Sequence, residues 1–114
     1  MGRLGAYARY SRYTVSHSRR GMEIRFCIAY HSLVAKEDLP RVGQFWQGEI
    51  RRAIETKLTT LPDLYGKPLR RSIVGYRKLR VGDYRIIFRI EGNTVKIVVI
   101  GHRSVVYTMV QKRI

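Results

Sequence analysis

Cysteine and acid are what this sequence has least of. Its one cysteine, Cys27, leaves no partner for an intramolecular disulfide and no cysteine cluster for a metal. Cys27 lies in an apolar run, which suits a buried structural thiol rather than a nucleophile. The histidines, His17, His31 and His102, are far apart and form no HExxH pairing, and neither a GxSxG nor a phosphate-loop signature occurs. No metal, no cofactor and no activated serine or cysteine is therefore expected. No apolar run approaches the ~18 residues that a membrane span needs. The first residues also lack the continuous apolar core of a secretory signal, so the expected location is the cytoplasm, with no membrane partner.

Against eight Asp and Glu stand 23 Lys and Arg, a formal net charge of +15 in 114 residues. Such a balance suits a nucleic acid or an acidic protein as partner. The length fits one domain, and 45% apolar residues are enough for one core. Residues 1–21, MGRLGAYARYSRYTVSHSRRG, hold arginines, tyrosines and no acid, without sustained periodicity. They are expected to be a disordered or loose basic extension, and residues 22–114 the folded domain.

Within that domain, Glu23–Tyr30 alternates Ile24, Phe26, Ile28 and Tyr30 against Arg25, Cys27 and Ala29, a strand pattern. Leu33–Leu39 reads as a short helix capped by Ser32, with His31 as a turn residue. Pro40 opens a longer helix over 41–61. Its apolar stripe is Val42, Phe45, Trp46, Ile50, Ala53, Ile54, Leu58 and Leu61. Trp46 belongs to that stripe by spacing and reads as core.

Gly75–Tyr107 reads as three strands joined by tight turns at Gly82-Asp83 and Gly92-Asn93. Period-2 alternation gives this meander an apolar face of Leu79, Val81, Tyr84, Ile86, Phe88, Ile90, Val95, Ile97 and Val99. Its reverse carries Tyr76, Lys78, Arg80, Arg85, Ile87, Arg89, Lys96 and His102. From Lys67 to Arg89 the only acid is Asp83, amid Lys67, Arg70, Arg71, Arg77, Lys78, Arg80, Arg85 and Arg89. Solubility does not need such one-sidedness, and a polyanion-binding face does. The expected architecture is α+β: an antiparallel sheet of about four strands with helices packed on one face.

With this inventory, one fitting reaction is metal-free RNA cleavage. The RNA brings its own nucleophile, the 2′-hydroxyl. The protein has to align it with the adjacent phosphate, stabilise charge on the phosphorane-like transition state and help move protons. Arginine clamps phosphate oxygens, histidine titrates near neutrality, and tyrosine stacks on a base.

Three segments carry a resemblance to a known family: LYGKPLR (Leu64–Arg70), YRKLRVGDYRIIFRI (Tyr76–Ile90) and IGHRSVVY (Ile100–Tyr107). Together they resemble the RelE/ParE superfamily of bacterial and archaeal toxins, most closely its RelE-type mRNA-cleaving branch, over about Met22 to Tyr107. The resemblance implies a RelE/ParE-like fold and a toxin held inactive by a cognate antitoxin, through an acidic or amphipathic segment. It further implies ribosome-dependent endonuclease action on mRNA. By position, Arg85 matches the family's phosphate-stabilising arginine, Lys78 the second lysine of its Lys-x-Lys pair, Arg103 an arginine near the end of the last strand, and Tyr107 its C-terminal tyrosine. His102 lies where related members carry a histidine close to that tyrosine. Tyr76 stands where the pair has its first lysine. Tyr76, Arg77, Arg80, Arg89, Lys67, Arg70 and Arg71 would then hold the RNA. Two other readings keep the fold: a ParE-like toxin that poisons DNA gyrase without cutting RNA, and an antitoxin-binding homologue without toxicity.

Overall fold

The computed structural model describes residues 26–60, 62, 66–69 and 74–114. The expected arm 1–21, the strand residues Glu23–Arg25, the helix residue Leu61, and Arg70 and Arg71 lie outside the described residues. In chain order the elements are β1 (Cys27–Tyr30), a π-helical turn (Val34–Asp38), a 3-10 turn (Leu39–Arg41), α1 (Gln44–Ala53) and a second π-helical turn (Ile54–Leu58). There follow β2 (Lys67–Pro68), β3 (Arg77–Val81), β4 (Tyr84–Glu91), β5 (Thr94–His102) and α2 (Val106–Arg113). The strands form one sheet in the order β1-β5-β4-β3-β2.

The architecture is α+β, as the patterning implies, and its details differ in informative ways. β3, β4 and β5 form the antiparallel meander, turning at Gly82 and Gly92, both at φ +60°. Glycine takes that left-handed conformation without a Cβ penalty. β1 pairs with β5 in parallel, Cys27 opposite Thr94 and Tyr30 opposite Ile97, so the sheet is mixed rather than antiparallel. The chain between these two strands runs through the helical segment and the strands β2 to β4, long enough to return beside β1 in the same direction as a parallel pair requires. A fifth strand, the two-residue β2, adds to the other edge.

The long helix is broken near its start. Pro40 lies in the 3-10 turn, Val42 is extended, and α1 begins only after Gly43. Its stripe packs as expected: Ile50, Ile54 and Leu58 are buried with Ile28, Leu79, Ile86, Phe88, Val95 and Ile97, on what we call the inner face. Trp46 is partly buried on the margin of this cluster, above Gly82, where a Cβ would run into its ring. Phe45, in contrast, is 66% exposed and does not pack on the meander.

The outer face is not bare. α2 packs there, Val106 and Val110 burying Ile87, Val98 and Val99, so helices cover both faces rather than one. A β-bulge in β5 explains why alternation misassigned Val99. Ile87 pairs with Val99 and Phe88 with Ile97, which leaves Val98 as an extra residue on β5. Beyond the bulge every side chain of β5 changes face: Val99 turns outward, while Ile100 and His102 turn inward.

β1 ends opposite Ile97, and past that point β5 would present an open edge. A buried ion pair closes it. Asp38 accepts the Ile100 N–H at 2.9 Å and two bonds from Arg113, at 2.8 and 3.1 Å, while Arg113 donates to the Val98 carbonyl at 3.0 Å. Asp38 is 1% exposed and the Arg113 side chain 8%. Arg113 is thus no loose C-terminal cation, as its place in the final QKRI would suggest, but the pin that fixes the last turn of α2.

Candidate functional site

On the outer face the strand register sets cations opposite one another. Lys67 lies across from Lys78, Arg80 from Arg85, and Arg89 from Lys96. Residues directly opposite in an antiparallel pair share a face at about 5 Å, where like charges repel. Among the described residues, one of these pairs has an acid between its members: Glu91 receives Lys96 at 2.8 Å and Arg89 at 3.2 Å. The Lys96 hydrogen bond holds the Glu91 carboxyl below its ordinary range; burial opposes it, and the charges of Lys96 and Arg89 add to the lowering. At the two pairs nearer the Gly82 turn no described acid stands between the cations, so the face is most positive there.

At the centre of this face, Lys78 Nζ donates to the phenol oxygen of Tyr107 at 3.2 Å and lies 5.7 Å from the ring centroid. β3 presents Lys78 outward by alternation. Tyr107 comes from the first turn of α2, which stands directly on β5: Gly101 lies beneath Met109, so close that a Cβ there would meet the Met109 sulfur at 2.8 Å. The absence of a side chain at Gly101 lets α2 come low enough for Tyr107 to reach across the sheet to Lys78. Tyr76 packs beside this cluster, and the Arg89 guanidinium lies over its ring at 5.6 Å.

The other expected site residues do not join the pair in this conformation. Arg85 shares the outer face, yet its guanidinium bonds the carbonyls of Gly82 and Tyr84 at 3.0 and 2.9 Å, folded back on its own turn. Arg77 faces inward and donates to the Gly66 carbonyl at 2.9 Å. Arg103 is exposed beside the Gly82 turn, its backbone N–H on the Asp83 carbonyl at 2.8 Å and its side chain 3.9 Å from the Asp83 carboxylate. His102 is a correction: the bulge at Val98 turns it inward, opposite Tyr84, away from Lys78 and Tyr107. Its ring meets Tyr84 edge-on at 5.8 Å, and its Nδ1 accepts the Ser104 N–H at 3.1 Å. Lys67 and Arg80 are exposed on the outer face, and Arg70 and Arg71 lie outside the described residues.

Asp38 and Arg113, which hold α2 and through it Tyr107, were not legible as a pair. They are 75 residues apart, and the one available signal was an acid closing a helical segment in an acid-poor chain. Among the described residues no group of three or more His, Cys, Asp and Glu side chains gathers as metal ligands do. Nor is any described helix long and apolar enough to cross a membrane.

Comparison with known proteins matches this geometry to a family. The family model for the ParE toxin of type II toxin-antitoxin systems matches residues 32–107, which takes in every element from the first π-helical turn to Tyr107. Among solved structures, the toxin-antitoxin complex RelBE2 from Mycobacterium tuberculosis contains a similar chain. It is 27% identical with a TM-score of 0.65, over 70% of this chain and 100% of that one. No curated protein matches by sequence. The chain belongs to the ParE toxin family of type II toxin–antitoxin systems, within the RelE/ParE toxin superfamily.

Proposed function

We propose that the chain is the toxin of a type II pair, restrained by a cognate antitoxin, and that it cleaves mRNA on the ribosome through its outer face. The observation that carries this reading is the Lys78–Tyr107 contact set between cross-strand cation pairs, Lys67 with Lys78 and Arg80 with Arg85. A phosphodiester chain laid across the face relieves that repulsion, and Tyr76 offers a ring for a base. Because Lys78 donates to the Tyr107 oxygen, the phenol O–H is left to donate to the substrate.

The 2′-oxygen attacks the adjacent phosphorus and gives its proton to water. The 5′-oxygen leaves with a proton from Tyr107, the products are a 2′,3′-cyclic phosphate and a 5′-hydroxyl, and the hydronium formed in the attack returns a proton to the phenolate. Lys78 stabilises the phenolate as it forms. Arg80, and Arg85 once an anion draws it off its carbonyls, bind the phosphate oxygens as their charge grows.

A second reading, a ParE-like toxin that inhibits DNA gyrase without cutting RNA, is favoured by the family model that matches the chain and by the scatter of Arg77, Arg103 and His102 away from the Lys78–Tyr107 pair. The separating experiment induces the full chain without antitoxin, maps cuts on translated mRNA by primer extension, and assays gyrase supercoiling with the purified chain. Cuts with normal supercoiling are expected. Intact mRNA with blocked supercoiling transfers the chain to the second reading.

A further inference from the structure

Among the described strand residues Glu91 is the one acid, and neither reading gives it a task. It ends β4, two residues from Arg89 on the same face, and Arg89 lies across from Lys96 on β5. Its carboxylate accepts the Arg89 Nε on Oε2 at 3.2 Å and the Lys96 Nζ on Oε1 at 2.8 Å. A carboxylate oxygen has two lone pairs, so each can accept once more. The same Arg89 guanidinium lies over the Tyr76 ring at 5.6 Å, and that ring packs on the cluster beneath α2. Arg89 is thus held between a ring and a carboxylate, yet its side chain is 48% exposed and that of Glu91 39%. Cancelling repulsion does not account for the acid. The Lys67–Lys78 and Arg80–Arg85 pairs stand without one among the described residues.

We infer that Tyr76, Arg89 and Glu91 form a base-reading subsite for the nucleotide next to the cleaved phosphate, and that it selects guanine. The inference rests on the mRNA-cleavage reading above. Position is the first support. Tyr76 immediately precedes β3 and lies two residues from Lys78, about 7 Å along an extended chain. A base beside the phosphate held at Lys78 and Tyr107 reaches it. Charge is the second. The two cation pairs nearer the Gly82 turn carry two positive charges each, whereas Arg89, Lys96 and Glu91 together carry one. Phosphates are drawn to the former, which leaves this end of the face to a base. Chemistry is the third. A guanidinium backed by a ring is a platform on which a base stacks, and the carboxylate beside it only accepts hydrogen bonds. The Lys96 hydrogen bond favours the ionised form of that carboxyl. Guanine meets it with two adjacent donors, N1–H and the N2 amino group. Adenine and cytosine present one amino donor next to a ring-nitrogen acceptor. Uracil flanks its N3–H with two carbonyl oxygens. Each of these three sets a lone pair against the carboxylate.

The experiment induces the full chain without antitoxin, maps cuts across many translated mRNAs and tallies the bases at each position around the cut. In the parent, guanine is expected at one fixed position beside the cut. Its enrichment there should be about tenfold, the usual scale of a base contact through two hydrogen bonds. Glu91→Gln replaces one acceptor by an amide donor, which matches the N6 amino group and N1 of adenine. The preference should then move from guanine to adenine at that same position, and Glu91→Ala should flatten it. Melting curves check that each variant folds. Glu49→Gln, an equal change on α1, is the control and should keep the parent profile. A Glu91 that only steadies the sheet would change the number of cuts and not the bases around them. A preferred base other than guanine in the parent, or a preference that both Glu91 variants keep, overturns the subsite while cleavage itself stands. Absence of cuts by the parent removes the mRNA-cleavage reading and this inference with it.

Discussion

On the inner face the cluster draws on β1, α1, both π-helical turns and the whole meander, and no single contact holds it together. The outer face is closed by one eight-residue helix, α2, whose last turn is pinned by one ion pair and whose first turn supplies Tyr107. The inner face has redundancy; the outer face, which carries the candidate chemistry, hangs on particular residues. A candidate site assembled this way is open to control at its attachments as much as at the Lys78–Tyr107 contact itself.

The sharpest way to break the contrast is to cut the pin. Arg113→Met strands the Asp38 carboxylate at 1% exposure with only the Ile100 N–H as donor. Removing one partner of a buried ion pair costs about 3–5 kcal/mol, comparable to the ~3–5 kcal/mol expected for Phe88→Ala in the inner cluster. Urea melts measure both. The double change Asp38→Leu with Arg113→Met takes away both charges, and its cost should fall to about 1–3 kcal/mol, the penalty for leaving the Ile100 N–H and Val98 carbonyl unmet. A double variant as unstable as the single one would show that the pair contributes more than mutual neutralisation.

The same contrast predicts activity without stability. Tyr107→Phe and Lys78→Ala leave both buried clusters in place, so melting temperatures should stay within a few degrees of the parent. Cleavage of translated mRNA should drop by roughly a hundredfold or more, the usual worth of a positioned proton donor. A large drop in melting temperature would mean that the contact serves to hold α2, and the chemical role would lose its support.

The faces also differ in how far they could be read in advance. Along β4, strict alternation from Tyr84 to Ile90 sorted every residue correctly, because a strand without irregularity has no other choice. In β5 the same rule held through Ile97 and then failed for Val99 and His102. One inserted residue among Val98, Val99 and Ile100, all apolar, leaves no mark in the pattern. Phe45 was read into the helical stripe yet stayed exposed: at 3.6 residues per turn it lies about 140° round α1 from Ile50, off the face that Trp46, Ile50 and Ile54 share. The basic character of the outer face was legible, and Lys78 and Tyr107 were each named through the resemblance, but their contact, like the Asp38–Arg113 pin, needed the fold.

The two turns of the meander permit a finer comparison. Gly82 and Gly92 share φ +60°, but only Gly82 lies beneath a ring, that of Trp46. Gly92→Ala should cost about 1 kcal/mol, the strain of a left-handed conformation for a residue with a Cβ. Gly82→Ala adds the displacement of Trp46 and should cost about 1–2 kcal/mol more. Equal values by urea melt would mean that Trp46 moves aside freely and is not part of the inner packing.

The smallest expected effect is a dependence on pH at His31, which follows β1 and senses the charges of the pin. Burial of its ring, and next the Arg113 charge, hold its pKa below the ordinary value of 6.5; Asp38 opposes them more weakly. The native chain therefore binds this proton less readily than the unfolded chain does. Above the ordinary value both states are neutral here and His31 makes no difference. As pH falls through it, the unfolded chain gains the proton first, so stability declines, and the decline stops once pH passes below the folded value. Glu91 behaves in the same sense at lower pH, since its carboxyl is also held down, and its contribution is lost as pH falls through its own folded value. The measurement is melting temperature at pH 7.5, 6.5 and 5.5 for the parent and for His31→Gln, with Glu91 present in both. The variant should show a flatter profile across that window, and the difference between the curves isolates His31. Parallel profiles would mean that His31 is protonated alike in both states, and that the ring does not sense the charge pair that holds α2 in place.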